Sequence, residues 1–229
     1  ILHLLRTDSK FTKEEARILD LLLIMHADHG SGNNSTFANL VVASTATDIY
    51  SAFSASVGSL KGPRHGGANI TCKQMMDTII NEIGLQATSQ DIQGILQRLV
   101  DKDFFDKKGL IYGFGHAVYT LSDPRCVLLK DQARVIAEAC GESNRLSFYE
   151  KFEAEVVQYF KTAKGKNICA NVDFYSGLIY DMLQIPEDLY SPLFVASRSV
   201  GWLAHNIEEK LYCNRIIRPA GYYVGEKEG

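Results

Sequence analysis

Signals that start and stop α-helices recur along almost the whole chain, and they restrict its fold more than any other feature. Thr12 followed three residues later by Glu15 forms a capping-box pattern, in which side chain and backbone exchange hydrogen bonds. The apolar run at 18–25 behind it predicts a buried helix that ends near His26. A chain punctuated in this way is predicted to be all-α.

Similar signals predict the remaining helices. Asp123 can cap a helix whose first position is Pro124, and either Asn34 or Ser35 can cap an earlier one. One helix, at 51–60, is rich in Ala, Ser and Gly and is expected in the interior or at a subunit interface. The predicted helices cover about 35–46, 51–60, the stretch after 67 up to 83 (ended by Gly84), 89–102, 124–140, 144–164, 174–183 and 192–211, with one strand-like stretch at 110–112 and an irregular tail from Asn214.

Composition limits the class of protein. With 229 residues and 46% hydrophobic content, the chain can form one large domain or two small ones. Its formal net charge of −3 predicts no nucleic-acid or membrane partner. The five cysteines are odd in number and lack a CxxC pair, so we predict reduced thiols and no metal site. A cytoplasmic location is expected, since no spanning run or signal peptide is recognisable, and the start at Ile1 without methionine suggests a fragment.

Three histidines stand out because each lies in a loop between predicted helices, close to glycine. They are His29, His65 and His116. Glycine lets a ligand approach the backbone, and loops on a helical scaffold often carry binding groups. For one such histidine, a structural role as a cap or a carbonyl partner is about as probable as a functional one. Three together favour a site.

The segments around these histidines resemble, in the same order, motifs of the citrate synthase family. The resemblance runs from about residue 4 to the end, although members of that family are longer on the amino-terminal side. The motifs are His-Ala-Asp-His-Gly at 26–30, Gly-Pro-Arg-His-Gly-Gly-Ala-Asn at 62–69, Gly-Phe-Gly-His-Ala-Val-Tyr at 113–119, Asp-Pro-Arg at 123–125 and Asn-Val-Asp-Phe-Tyr-Ser-Gly at 171–177.

The resemblance implies a large helical domain with a smaller inserted helical domain, in a chain that lacks the amino-terminal part of the large domain. The large domain would comprise 1–66 and 179–229, and the small domain 67–178. The implied activity is condensation of acetyl-CoA with oxaloacetate and water to give citrate and CoA, in a homodimer without a cofactor. A 2-methylcitrate synthase using propionyl-CoA is an alternative, because one methylene is worth only about 1–3 kcal/mol in an apolar pocket. A catalytically inactive truncated fragment or paralogue is another.

The same resemblance assigns three catalytic roles. Asp173 would remove a methyl proton from the thioester, but a free aspartate has a pKa of only about 3.9 and is too weak to do this alone. His65 would therefore stabilise the enolate oxygen through a hydrogen bond, and a helix amino terminus beside it would keep it neutral. His116 would bind and protonate the ketone of oxaloacetate. Without the resemblance, Asp173 would be interpreted as a helix cap.

Oxaloacetate has two carboxylates, which suit the planar fork of arginine. The resemblance implies Arg125, Arg198 and Arg218 as ligands, with Arg218 reaching across a dimer boundary. It adds His29 and Asn33 on the substrate, and Ser35 supporting them from behind. Taken singly, the arginines would be interpreted as surface or tail charges, and Asn33 and Ser35 as helix caps.

For CoA, the resemblance implies a loop whose backbone receives the adenine, with nearby lysines for the phosphates. Many relatives carry a basic residue where this chain has Thr120, so loop lysines, among them Lys107 and Lys108, are the alternative cations. The predicted CoA-binding residues are Leu110, Ile111, Tyr112, Gly113, Phe114, Gly115, Lys164 and Lys166.

Overall fold

The computed structural model describes residues 1–225 except Arg64, Ala117, Asn214 and Tyr223. In this part of the chain the regular elements are helices, which confirms the all-α prediction. They are α1 (Leu2–Leu5), α2 (Lys13–His26), α3 (Asn34–Ala43), α4 (Ile49–Leu60), α5 (Ala68–Ile83), α6 (Ser89–Val100), α7 (Pro124–Cys140), α8 (Ser143–Lys164), α9 (Val172–Met182), a 3₁₀ turn (Glu187–Leu189) and α10 (Tyr190–Tyr212).

The predicted helix starts correspond to local hydrogen bonds. At α2, the Glu15 N–H donates to Thr12 Oγ1 at 3.1 Å and the Thr12 N–H donates to Glu15 Oε2 at 2.7 Å, so the capping box is confirmed. Asp123 caps α7 by accepting the Arg125 N–H at 3.0 Å. These starts depend on neighbours in sequence, which is why they could be predicted.

Several boundaries differ from the prediction. The cap position of α3 is Asn33, rather than Asn34 or Ser35, and α3 ends at Ala43 instead of near 46 because Ala46 has a left-handed φ of 63°. Likewise α6 ends at Val100, since Lys102 has a φ of 63°. The other predicted helix ends agree to within two residues. Asn214, where the irregular tail was predicted to begin, lies outside the described residues.

The predicted strand at 110–112 is wrong. Gly113 and Gly115 have φ values of 82° and 83°, so the backbone turns immediately after this stretch instead of continuing as an extended chain. Just beyond this stretch, an isolated antiparallel bridge joins Phe114 to Ala170. The sequence alone did not show that these glycines adopt left-handed conformations, which end the extended backbone.

The helices pack in two groups. In one, α5 to α9 surround an apolar core, and α5 and α7 both contact α9. In the other, α3, α4 and α10 contact one another, as expected for the small-residue helix α4, which buries one face there. Helix α2 contacts α10 and α7 and so touches both groups. The predicted domain boundary at 178 falls inside α9. No helix among the described residues is both long and apolar enough to cross a membrane.

Candidate active site

Two of the predicted histidines contact each other directly. His29 follows the end of α2, and its Nε2 lies 3.0 Å from His116 Nε2. His116 Nδ1 accepts the N–H groups of Val118 at 3.0 Å and Tyr119 at 3.1 Å. A neutral His116 must therefore carry its proton on Nε2, and His29 Nε2 is its acceptor. The turn after Gly115 thus fixes the His116 tautomer.

The third histidine lies in the turn between α4 and α5. His65 Nε2 is 3.0 Å from Ser35 Oγ and 3.2 Å from Asn33 Oδ1. Ser35 Oγ is in turn 2.8 Å from Asn33 Oδ1 and accepts the Trp202 Nε1–H at 3.2 Å. Ser35 is fully buried. Its hydroxyl is therefore held between α10 and His65, which explains why it does not cap α3.

All three histidines are kept neutral. Burial lowers the pKa of His65, and the charge of Arg198 lowers it further. Burial also lowers the pKa values of His29 and His116, with the charge of Arg125 acting in the same direction. Because the ordinary pKa of histidine is about 6.5, each ring is uncharged at neutral pH, with one nitrogen a donor and the other an acceptor as its tautomer dictates.

Asp173 lies in the first turn of α9 and is not its cap. The cap is Asn171, whose Oδ1 accepts the Asp173 N–H at 3.0 Å. Burial raises the pKa of Asp173 to about 6, although the charge of Arg125 opposes this increase. A carboxylate in a helix first turn would ordinarily be stabilised in its charged form. Here desolvation outweighs that effect, and the result is a stronger base than free aspartate.

Arg198 on α10 is almost completely buried, at 1% exposure. Its Nε donates to the His26 carbonyl at 2.7 Å, and its guanidinium carbon lies 4.8 Å from the centre of the Phe194 ring. Burial lowers its pKa to about 10, so it remains charged at neutral pH. Its Nη1 is buried without a hydrogen-bond partner among the described residues. A buried, unpaired guanidinium nitrogen is suited to an anionic ligand.

Part of the Arg125 guanidinium is already hydrogen-bonded within the chain, which the sequence did not suggest. Its Nε and Nη2 donate to the two oxygens of Asp123 at 3.1 and 2.8 Å. Burial opposes the charge on Asp123, but hydrogen bonds from Arg125 keep the Asp123 pKa below its ordinary value. Two of the five N–H donors of the guanidinium are used in this way, and the others can still bind a carboxylate.

Arg218 lies on the exposed tail, away from this cluster. The neighbouring Ile217 N–H donates to Ser44 Oγ at 3.0 Å, just beyond the end of α3. Among the described residues, no hydrogen bond or ion pair connects Arg218 with the histidines. Within one chain, the structure therefore does not bring Arg218 to the site.

The segment predicted for CoA is attached to the loop before α9. The Gly115 N–H donates to the Cys169 carbonyl, and the Asn171 N–H to the Gly113 carbonyl, each at 2.9 Å. Asn171 Nδ2 donates to the Gly115 carbonyl at 3.0 Å. Asn171 therefore links this segment to the helix that carries Asp173. Elsewhere in the predicted set, Tyr112 Oη donates to Asp106, Ile111 is buried, and Leu110, Lys164 and Lys166 are exposed.

Two aromatic residues of the site were not predicted. Phe194 makes edge-to-face contacts with His65 and His26, with ring centres 5.9 and 4.8 Å apart, in addition to its contact with Arg198. Trp202 supports Ser35. The spacing of four residues between Phe194 and Arg198 places both on one face of a helix and was the available signal.

Neither a metal centre nor the larger surface cavities coincide with this cluster. In the described part of the chain, no three His, Cys, Asp or Glu side chains are grouped to hold a metal ion. A cavity of about 540 Å³ lies between α1 and α2 and is lined by Arg6, Asp8 and Glu15, among others. None of the histidines, arginines or carboxylates described for the site lines it. The fold and the site define an all-α protein that holds neutral histidines, a carboxylate of raised pKa, and two arginines whose charges act on both.

Comparison with known proteins agrees with this class. Residues 1–220 match the family model "Citrate synthase, C-terminal domain". Citrate synthase from Haloferax volcanii is 38% identical over 93% of this chain and 51% of its own length. 2-Methylcitrate synthase from Shewanella oneidensis is 35% identical over 91% of this chain and 50% of its own. A citrate synthase from the thermophilic archaeon Thermoplasma acidophilum, solved as a ternary complex with carboxymethyl coenzyme A and oxaloacetate, superposes with a TM-score of 0.76 at 33% identity, over 96% of this chain and 55% of that one.

The chain belongs to the citrate synthase family. It spans about half the length of the relatives it matches.

Proposed function

We propose that the protein of which this chain forms part condenses an acyl-CoA with oxaloacetate and water to give a citrate-type product and CoA. The observation that carries the proposal is that a member of this family holds neutral His65 and His116 together with Asp173, whose pKa is raised to about 6 and on which the charges of Arg125 and Arg198 act. The Thermoplasma relative, solved as a ternary complex with oxaloacetate and carboxymethyl coenzyme A, supports both substrates. No cofactor is required.

In the first step, Asp173 takes a proton from the carbon next to the thioester carbonyl. The electron pair of the broken C–H bond moves onto the thioester oxygen, where His65 stabilises the developing charge through a hydrogen bond. With a pKa of about 6, Asp173 is mostly ionised at pH 7 and more basic than a free aspartate. Because His65 is neutral, it can donate a hydrogen bond to the thioester oxygen without transferring its proton.

The direction of the Ser35 hydroxyl hydrogen bond determines which nitrogen of His65 can donate to the substrate. Its single proton can go either to Asn33 Oδ1 or to His65 Nε2, at 2.8 and 3.0 Å. When it goes to His65, that ring must hold its own proton on Nδ1, which is then the donor to the thioester oxygen. The Trp202 N–H fills an acceptor position of the hydroxyl in both cases. We therefore assign Ser35 and Asn33 to control of the His65 tautomer.

In the second step, the enolate carbon attacks the ketone carbon of oxaloacetate. His116 Nε2–H, whose acceptor here is His29, donates to the ketone oxygen and transfers its proton as the tertiary alcohol forms. The ketone oxygen would replace His29 as the acceptor of this N–H, and His29 would contribute to substrate binding. The proton that Asp173 took up then returns through solvent to the imidazolate left on His116. Water then hydrolyses the acyl thioester and releases CoA.

Arginines neutralise the two carboxylates of oxaloacetate. Arg198 offers its unpaired Nη1, and Arg125 offers the N–H groups not used by Asp123. Arg218 would serve the site of the partner subunit in a homodimer, a role compatible with its exposed position on the tail. We also propose that the protein is a cytoplasmic homodimer and that its chain is divided into two domains.

The segment 110–115 would receive the adenine of CoA through backbone groups, and Lys164 and Lys166 would approach the phosphates as point charges. Both lysines are exposed at the end of α8, where their ammonium groups can move toward a ligand. A site built by residues of both helix groups, as the contact of His29 with His116 shows, would also suit closure over the substrates, because the enolate must be shielded from water.

The acyl group of the CoA substrate is the part of the reaction still to be assigned. Most of the relatives reported above are named citrate synthase, and we propose acetyl-CoA as the substrate, with propionyl-CoA as the alternative represented by the Shewanella protein. The test measures release of free thiol by the native protein that contains this sequence. The substrates are oxaloacetate and either acetyl-CoA or propionyl-CoA. We expect a higher kcat/KM for acetyl-CoA. A higher value for propionyl-CoA would identify a 2-methylcitrate synthase, and no release with either would contradict the proposed function.

A further inference from the structure

Two buried polar side chains join the helix that follows His65 to the helix that contains Asp173. Asn69, near the start of α5, donates from Nδ2 to Ser176 Oγ on α9 at 2.5 Å. Their exposures are 5% and 0%. In sequence, Asn69 lies four residues after His65, and Ser176 three residues after Asp173. The hydrogen bond thus connects α5, close behind His65, with the first turns of α9, which carry Asp173. His65 and Asp173 are the two groups of the proposed enolisation.

This contact requires an unusually close approach of the two helices. A Cβ at Gly177 would lie 2.8 Å from Asn69 Oδ1 and 3.4 Å from the Asn69 carbonyl oxygen, so only glycine fits there without displacement. Asn69 Oδ1 itself is buried without a hydrogen-bond partner in the described part of the structure. An unsatisfied buried acceptor is unfavourable for stability, so the placement of Asn69 calls for an explanation other than stability.

Apolar packing holds the same helices together independently. Cys72, Met75 and Met76 of α5 share one core with Phe174 and Leu178 of α9. Loss of the Asn69–Ser176 hydrogen bond should therefore leave α5 docked on α9. What it would loosen is the end of the pair that lies next to His65 and Asp173.

We propose that Asn69 and Ser176 are a positioning pair that fixes the separation of His65 and Asp173 during enolisation. The inference rests on the proposed function, in which both groups act on one acyl group at the same moment: Asp173 on its carbon-bound proton and His65 on its oxygen. Their spacing must match that of the two reacting atoms. A misplacement of about 1 Å can lower a rate about a hundredfold.

The chain contains a matched control for this pair. Asn39 Nδ2 donates to Ser56 Oγ at 2.9 Å between α3 and α4, and both residues have 0% exposure. Ser56→Ala and Ser176→Ala thus each delete a buried serine hydroxyl that accepts from an asparagine. Only the second belongs to the hydrogen bond that joins α5, which follows His65, to α9, which carries Asp173.

The experiment compares Ser176→Ala with Ser56→Ala in the native chain that carries this sequence. Both should lower the melting temperature by a similar amount. We expect kcat to fall at least about tenfold in Ser176→Ala and to stay within about twofold of the parent in Ser56→Ala. In Ser176→Ala, the KM for oxaloacetate should change less than about threefold, and exchange of the acyl-CoA α-protons with solvent should fall in parallel with kcat.

Asn69→Ala provides a second route if Ser176→Ala does not fold. It should reproduce the loss of kcat and exchange, and the double variant should be no slower than the slower single variant, because both remove one interaction. Equal kcat values for Ser176→Ala and Ser56→Ala at matched melting temperatures would overturn the positioning role while leaving the proposed function intact. Absence of thiol release from the parent chain would instead overturn the proposed function, and the positioning role with it.

Discussion

Asp173→Asn should remove nearly all turnover, since it keeps the size of the side chain and deletes only the base. Burial raises the Asp173 pKa from 3.8 to about 6, which is about 3 kcal/mol in favour of proton uptake relative to free aspartate. A positioned general base contributes roughly 10²–10⁴-fold to a rate. We therefore expect thiol release to fall about a thousandfold, while oxaloacetate affinity stays within about threefold because the base acts on the other substrate.

Steady-state thiol release and a calorimetric titration with oxaloacetate measure the two quantities. Asp181→Asn is the control on the same helix, since its carboxylate pairs with Lys73 and Arg145 and not with site residues. It should lower stability but keep the rate within about threefold. Retention of more than about a tenth of the turnover by Asp173→Asn would remove this residue from the mechanism.

The same pKa gives the direction of the pH dependence. The base must be ionised to act, so kcat/KM of the parent should fall as the pH drops through about 6, approaching a tenfold loss per pH unit below it. An ordinary aspartate would place this decrease near pH 4. A kcat/KM that is constant down to pH 5 would show that the ionisation of Asp173 does not limit the reaction.

Other variants test the remaining roles. His65→Ala should abolish exchange of the acyl-CoA α-protons, whereas His116→Ala should retain exchange when a reduced oxaloacetate analogue is bound; equal loss in both would refute the separate roles. Ser35→Ala should lower kcat about tenfold and change the His65 tautomer, which nitrogen NMR of the ring would report; an unchanged ring would leave Ser35 without the assigned role. Light scattering should show a homodimer for the native protein, and Arg218→Ala should raise its KM for oxaloacetate about tenfold or more. A fully active monomer would contradict the role of Arg218 across subunits.

Helix positions could be predicted because their determinants are local. The reciprocal bonds of Thr12 and Glu15, and the cap by Asp123 before Pro124, involve residues within three positions of each other. Backbone conformations with left-handed φ could not be assigned in the same way. At Ala46 they shortened a predicted helix, and at Gly113 they replaced the predicted strand.

The site shows the same difference between features that the sequence reveals and features that depend on the fold. Resemblance to the family selected the residues, but their pairing depends on the fold. The sequence does not reveal that Arg125 forms an ion pair with Asp123, or that His29 contacts His116 across 87 positions. Phe194 was missed because a phenylalanine in an apolar helix is ordinarily a core residue, and only the structure shows it between His65 and Arg198.

The contribution of α10 to the site has a consequence for biosynthesis. Trp202 and Arg198 meet partners that lie 167 and 172 residues earlier in the chain. A ribosome therefore synthesises His29, Ser35 and His65 long before the helix that orients them emerges. Contacts of such long sequence separation form late and slowly. A nascent chain would hold folded helices with an unassembled site until α10 docks, so the site forms only after that helix has been synthesised.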